Sequence, residues 1–230
     1  MIYKCIRLYF IKLLNFITKE NFMKKLLLIS IAAAVAFGGE NLLVGAFANL
    51  GQITIQAKEG KMAAIVGDEA FLKKTDLDIK AYERIGKGAL VLVTPKGKQI
   101  KDVSELKNLA KIAMPDAKKA IYGVRTTEFL KNSGLEADLA PKMLPVAGVL
   151  QVVAYVANGE VDAGFINSTE AVAREGEFGS VIYIDEALYS PVFISVAKLP
   201  ACEGNEACAK FIDEIKTPRS KEIFAKFGLK

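Results

Sequence analysis

The sequence contains neither histidine nor tryptophan among its 230 residues. Histidine is the most frequent general base and zinc ligand, so its absence excludes Ser-His-Asp and Cys-His catalytic sites and histidine-bound zinc. An enzyme that uses carboxylates stays open as one hypothesis, although the candidate acids stand at predicted turns and helix starts: Asp68, Glu69, Asp116 and Asp162. We therefore expect a protein that is not an enzyme and that carries no cofactor and no metal ion.

An excess of basic charge is confined to the start of the chain. The formal net charge is +5, from 31 Lys and Arg residues against 26 Asp and Glu residues. The first 38 residues hold six of the basic residues and one acid, Glu20, which leaves 25 residues of each sign in 39–230. A neutral chain lacks the basic surface that binds phosphate backbones, so we expect no nucleic-acid partner.

Residues 23–38 have the pattern of a secretory signal peptide. They begin with Met23-Lys24-Lys25, continue as an apolar run and end in Ala-Phe-Gly. The run is short for a membrane span, which needs about 20 apolar residues. We expect residues 1–38 to be removed on export to the periplasm, and 1–22 to be an extension upstream of the true start. A two-part membrane anchor is the alternative.

Cysteine is scarce, with three residues in the chain. Cys5 lies in the segment predicted to be removed, which leaves Cys202 and Cys208. A pair at this spacing around Gly204-Asn205 can close a small loop in an oxidising compartment. A metal site is the alternative, but glutamates are the only further ligands nearby. We predict a disulfide between Cys202 and Cys208.

The segment 145–171 has the clearest local pattern. Apolar residues at helical spacing predict a helix over Val149–Ala157, and Asn158-Gly159 predicts a left-handed residue that ends it. The apolar run 161–166 predicts a strand covered on both faces, followed by Asn167 where a helix cap is expected. In open α/β sheets, ligands bind at the carboxyl ends of strands. An αβα unit that binds no ligand, with Asn167 as a plain cap, is the alternative.

Predicted strands and helices alternate along the whole chain, which indicates an α/β fold with parallel sheets. Five segments occur in a recognisable order: ALVLVTPKG (89–97), KNSGLEADLAPK (131–142), GVLQ (148–151), NGEVDAGF (158–165) and TPRSKEIFAKFG (217–228). In these segments, and from about residue 42 to 230, the chain resembles the periplasmic molybdate-binding proteins of ABC importers. These belong to the type II periplasmic binding proteins.

The resemblance implies two α/β lobes that are joined by crossover strands and close on a tetrahedral oxyanion. Lobe one would comprise 40–92 with 192–230, and lobe two would comprise 93–191. The first lobe looks shortened by a helix and a strand, because Leu50 runs almost directly into 52–61. The implied ligand is molybdate, tungstate or a related oxyanion. The implied partner is an ABC transporter permease, and the implied state is a monomer.

The resemblance also implies a set of ligand-binding residues: Asn49, Tyr122, Val149 and Asn167. Val149 matches a family backbone donor, and a second donor falls near Tyr122, for which packing is the alternative role. Asn49 and Asn167 replace a family serine and tyrosine, and a second serine has no counterpart. Backbone N–H groups, helix N-termini and asparagine amides can hold a dianion without charged side chains. A non-transport sensor, or a degenerate binding protein on the same scaffold, is the alternative function.

Overall fold

The computed structural model describes residues 33–37, 40–46, 50–60 and 62–230. Within these ranges the strands are β1 (Ala33–Phe37), β2 (Glu40–Ala46), β3 (Ala64–Asp68), β4 (Ala81–Gly88), β5 (Leu90–Pro95), β6 (Ile112–Pro115), β7 (Met143–Val146), β8 (Ala163–Asn167), β9 (Phe178–Tyr183) and β10 (Val192–Lys198). The α-helices are α1 (Leu50–Lys58), α2 (Glu69–Leu72), α3 (Ile121–Asn132), α4 (Glu136–Leu139), α5 (Val149–Ala157), α6 (Ser168–Ala173), α7 (Glu206–Ile215) and α8 (Pro218–Lys226).

The chain divides into two compact units. Unit 1 comprises the residues up to Ile85 together with Ile194–Ser220, and unit 2 comprises Gly86–Phe193 together with Lys221–Lys230. The chain passes from one unit to the other within β4 and within β10, so these two strands are crossover strands. The predicted two-lobe α/β class is therefore confirmed.

Unit 1 is built on the sheet β1-β2-β3-β10-β4. β2 and β3 are parallel, whereas β10 lies antiparallel to β3 and β1 antiparallel to β2. Its core is formed by small and aliphatic side chains that include Met62, Ile65, Leu72, Ala197 and Leu199. The predicted disulfide between Cys202 and Cys208 is present and ties the loop before α7 to the first turn of that helix.

Unit 2 is built on the sheet β7-β6-β8-β5-β9, covered by a helix on each face. A Cβ atom at Gly164 would lie 2.5 Å from Val152 of α5. The next residue, Phe165, packs against Phe129 of α3 with ring centroids 5.6 Å apart. Because successive strand residues point to opposite faces, α5 and α3 cover opposite faces of β8. The predicted doubly covered strand is confirmed.

The expectation of parallel sheets is wrong in part. β6 is parallel to β7 and β8, but β5 is antiparallel to both β8 and β9. A helical crossover returns the chain in the same direction and so makes parallel pairs. β5 instead follows β4 directly as the chain enters unit 2, so no crossover within unit 2 fixes its direction.

Two further elements differ from the sequence expectation. Residues 50–58, for which the sequence indicated no helix, form the nine-residue helix α1, and Gly60 follows its end with φ 72°. β4 was not predicted, because its sequence AYERIGKG mixes charged residues with two glycines. In the structure, backbone hydrogen bonds between Lys87 and Lys230 extend the pairing of this strand.

Several predictions fall on residues outside the described ranges. Asn49 is one of them, and so is most of the predicted signal peptide, of which β1 is described and pairs with β2. Removal of residues 1–38 therefore stays a prediction. No helix within the described ranges is long and apolar enough to cross a membrane.

Candidate functional site

Three helices of unit 2 begin at one edge of its sheet. β6, β7 and β8 are parallel, with Pro115 opposite Val146 and Ala113 opposite Gly164, so their carboxyl ends share one edge. α3, α5 and α6 each begin shortly after one of these strands. The first-turn N–H groups of a helix have no partner within the helix and carry its positive dipole end. This edge therefore concentrates backbone donors.

The first turn of α5 has no side chain that caps its backbone N–H groups. Gly148 is the N-cap residue, has no capping side chain, and has no atom within 4 Å of where a Cβ would stand. Gln151 accepts a hydrogen bond from the Ala147 N–H at 2.9 Å and donates to the Tyr155 hydroxyl at 3.3 Å. These bonds fix the turn before the helix. The amide of Val149 therefore stands in an ordered first turn, directly after a glycine that has open space on its Cβ side.

The start of α3 also has no capping side chain, since Ala120 is its N-cap residue. The helix lies close to β6, because a Cβ at Gly123 would stand 2.3 Å from the Pro115 carbonyl oxygen. Tyr122 is 7% exposed, and its hydroxyl lies 2.2 Å from the position of a Cβ at Gly88. The side chain of Tyr122 is therefore packed into the unit, while its amide belongs to the first turn of α3.

Asn167 caps the short helix α6. Its Oδ1 accepts a hydrogen bond from the Glu170 N–H at 3.2 Å, and its Nδ2 group donates to none of the described residues. The neighbouring Ser168 is fully buried, accepts from the Ala89 N–H at 3.0 Å and donates to the Gly228 carbonyl at 2.7 Å. The backbone at Asn167 is therefore held rigidly at the sheet edge.

The structure places Tyr122, Val149 and Asn167 at the same edge of the unit 2 sheet. Asn49, the fourth residue predicted to bind the ligand, lies outside the described residues. Gln151 orders the turn before Val149 and is not among the residues predicted from sequence. Its position three residues after the N-cap Gly148 is the signal that could have revealed this role, because a glutamine there can reach back to the start of the helix.

The candidate acids all hold structural hydrogen bonds. Asp68 caps α2 through the Phe71 N–H, and Asp116 accepts from the Lys118 N–H. Asp162 accepts from Lys98 and from the amides of Ala110 and Lys111, and the bond from Lys98 is the main cause that lowers its pKa. Glu69 is bonded to Arg84, Lys73 and Ser195. Within the described ranges, no group of three or more acidic or cysteine side chains could hold a metal ion.

Two lobes, crossover strands and a sheet edge lined with helix N-termini define the class of two-lobed solute-binding proteins. Residues 43–230 match the family described as bacterial extracellular solute-binding protein. The chain therefore belongs to this family.

Relatives of known name are similar over part or most of the chain. The molybdate-binding protein ModA of Rhodobacter capsulatus is 28% identical over 121 residues, which cover 53% of this chain and 47% of that protein. ModA of Escherichia coli is 26% identical over 200 residues, which cover 81% of this chain and 77% of that protein. The match to the Rhodobacter protein thus spans less than half of its length.

A solved structure supports the fold. The substrate-binding domain of a putative molybdenum ABC transporter from Clostridium difficile superposes with a TM-score of 0.67 at 23% identity. The superposition covers 80% of this chain and 83% of that domain. At this identity the likeness shows a shared fold.

Proposed function

We propose that this protein is exported to the periplasm and captures molybdate, tungstate or a related tetrahedral oxyanion for an ABC importer. The proposal is supported by the relatives named as molybdate-binding proteins and by the similar domain of a molybdenum ABC transporter. The main structural observation in its favour is that three helices begin at the same edge of the unit 2 sheet. Two of these helices, α3 and α5, begin without a capping side chain.

The chemistry of this edge suits a dianion. The amides of Tyr122 and Val149 and the Nδ2 group of Asn167 would each donate to an oxyanion oxygen, and the Asn49 amide is proposed as a further donor. Helix dipoles favour negative charge at this position, and dipolar contacts strengthen when water is excluded. Neutral donors hold the ion without a counter-charge, so the ion can be released to a permease without breaking an ion pair.

Isothermal titration calorimetry tests the ligand. The protein beginning at residue 39 is titrated with molybdate, tungstate and sulfate at constant ionic strength. Saturable binding of molybdate or tungstate with one ion per chain supports the proposal. No saturable heat with any of the three anions rejects the oxyanion function.

Export and delivery need separate measurements. Mass spectrometry of the protein secreted into the periplasm should give an amino terminus after Gly38. Stimulation of the ATPase activity of its reconstituted permease by the loaded protein would support delivery. Nothing in the described structure favours the sensor alternative over transport.

A further inference from the structure

A cavity of about 250 Å³ lies within unit 2, beside the end of β4. It is lined by Lys87, Gly88, Glu186, Tyr189 and Pro191. Pockets for drug-sized ligands are typically about 300–1,000 Å³. This cavity is therefore suited to a smaller molecule.

The wall of the cavity formed by residues 186–191 is anchored on both sides. From α3, Asn132 donates to the Leu188 carbonyl at 2.9 Å, and Glu128 accepts from the Ser190 N–H at 2.7 Å. From β5, the Leu90 N–H donates to the Tyr189 hydroxyl oxygen at 3.0 Å. Three hydrogen bonds to regular elements thus hold this segment in place.

Gly88, which also lines the cavity, packs closely against α3. A Cβ at Gly88 would stand 2.2 Å from the Tyr122 hydroxyl and 3.9 Å from Val192. Glycine at this position therefore lets the Tyr122 side chain of α3 pack against the end of β4.

The polar side chains of the cavity keep donors that no described residue accepts from. Both carboxylate oxygens of Glu186 are bonded, one to Lys87 and the other to Lys230. Lys87 donates one of its three ammonium N–H groups to Glu186. Tyr189 is 5% exposed, and its hydroxyl accepts from Leu90 but donates to none of the described residues. Burial raises the pKa of Tyr189, so this hydroxyl keeps its proton at neutral pH.

Arg125 of α3 is linked to the same segment through Glu128. Arg125 is 6% exposed and bonds through Nη1 to Glu128, the residue that holds Ser190. Its Nε has no acceptor within the described part of the chain. Buried polar groups without partners are uncommon in folded proteins, and a ligand or water usually satisfies them. Arg125 does not line the cavity, so its Nε group is a separate buried donor of α3.

We infer that this cavity is a second ligand pocket that takes a small organic carboxylate. One carboxylate oxygen would accept from the Tyr189 hydroxyl and the other from the Lys87 ammonium group. A carboxylate matches because it offers only acceptors, and Lys87 supplies a charge-assisted bond. None of the pocket's lining residues is one of the residues proposed to bind the oxyanion, although Gly88 lies against the Tyr122 side chain.

Calorimetry with a panel of small acids tests this pocket: acetate, L-lactate, succinate and L-malate. At least one acid should bind saturably, with one molecule per chain. The Tyr189→Phe variant removes the hydroxyl but keeps the ring, and it should weaken that binding at least tenfold. The Lys87→Met variant removes the ammonium group from a partly exposed position and should also weaken it, which covers the case that Tyr189→Phe fails to fold.

The matched control is Tyr82→Phe, a tyrosine of unit 1 whose ring lies near Lys73. Its affinity for the acid should equal that of the unchanged protein. Adding molybdate should leave acid binding unaltered. The inference is overturned if none of the four acids binds, if neither Tyr189→Phe nor Lys87→Met weakens binding, or if molybdate displaces the acid. Failure of molybdate binding alone would reject the proposed function and leave acid binding as predicted.

Discussion

The Oδ1 atom of Asn167 accepts a hydrogen bond from the backbone N–H of Glu170 at 3.2 Å. The cap uses the acceptor end of the amide and leaves its Nδ2 end for another partner. The same side chain can therefore stabilise α6 and donate to a ligand, and these two roles can be separated by substitution.

We expect Asn167→Ala to weaken the binding of molybdate by about 1–2 kcal/mol, because a charge-assisted hydrogen bond is lost. It should also cost about 1 kcal/mol of stability, because the cap is lost. Calorimetry measures the first effect and urea unfolding the second. An unchanged dissociation constant would leave Asn167 with the role of a cap alone.

Asn167→Asp is the control that separates the two roles. Aspartate caps a helix as well as asparagine does, so the free energy of unfolding should stay close to that of the unchanged protein. It offers no N–H donor and adds a negative charge, so the affinity for a dianion should fall further than in Asn167→Ala. Affinity equal to that of the unchanged protein would place the anion elsewhere.

Gly88 and Tyr122 should be strongly coupled. A Cβ at Gly88 would stand 2.2 Å from the Tyr122 hydroxyl oxygen but 3.5 Å from Cζ, which is an ordinary contact. We expect Gly88→Ala to destabilise the protein by about 1–3 kcal/mol through overpacking. Combined with Tyr122→Phe, the same substitution should cost much less, because the clashing oxygen is gone.

A double-mutant cycle by urea unfolding measures this coupling. The four proteins are the unchanged chain, the two single variants and the double variant. If the costs of the two single substitutions simply add, the close approach of the tyrosine hydroxyl to Gly88 is contradicted.

Glu69 should make the stability of the protein depend on pH in the acid range. Its hydrogen bond with Arg84, helped by Lys73 and Ser195, lowers its pKa from 4.5 to about 2. Because the folded-state pKa is depressed, the stabilisation is complete above pH 4.5 and is lost as the pH falls through about 2. The contribution at neutral pH is on the order of 2–3 kcal/mol, since the side chain is largely buried.

Urea unfolding of Glu69→Gln at several pH values between 2 and 7 checks this contribution. The difference in unfolding free energy from the unchanged protein should be large at pH 7 and should shrink toward pH 2. The exposed Glu222 provides the control, because Glu222→Gln should differ by less than about 0.5 kcal/mol at every pH. A Glu69→Gln difference that does not change with pH would contradict the depressed pKa.

The segment 145–171 could be predicted from sequence because each of its signals is local. Helical spacing gave Val149–Ala157, the Asn-Gly pair gave the turn at Gly159 with φ 71°, and Asn167 caps the next helix. The strand was placed two residues early at its start, since Val161 and Asp162 precede β8. Local sequence signals were sufficient to predict these elements, because their tertiary contacts favour the same conformations.

The features that could not be predicted depend on distant parts of the chain. The direction of β5 follows from where the chain enters unit 2. β4 has little apolar pattern of its own and is completed by backbone bonds to Lys230, which lies far along the sequence. The contact of Tyr122 with Gly88 likewise joins a helix start to a strand end. A local sequence pattern contains no information on contacts between distant residues. The fold class could therefore be predicted from sequence, whereas the geometry of the site could not.

The disulfide between Cys202 and Cys208 should contribute measurably to the stability of the protein. It closes a short loop, with a sequence separation of 6 residues, before α7. In the chain-entropy account, a loop of this size adds about 2 kcal/mol by restricting the unfolded chain. Dithiothreitol should therefore lower the melting temperature of the unchanged protein. The Cys202→Ser, Cys208→Ser double variant should melt at the lower temperature with or without the reductant, and a further drop on adding dithiothreitol would mean that the reductant acts on something other than this bond.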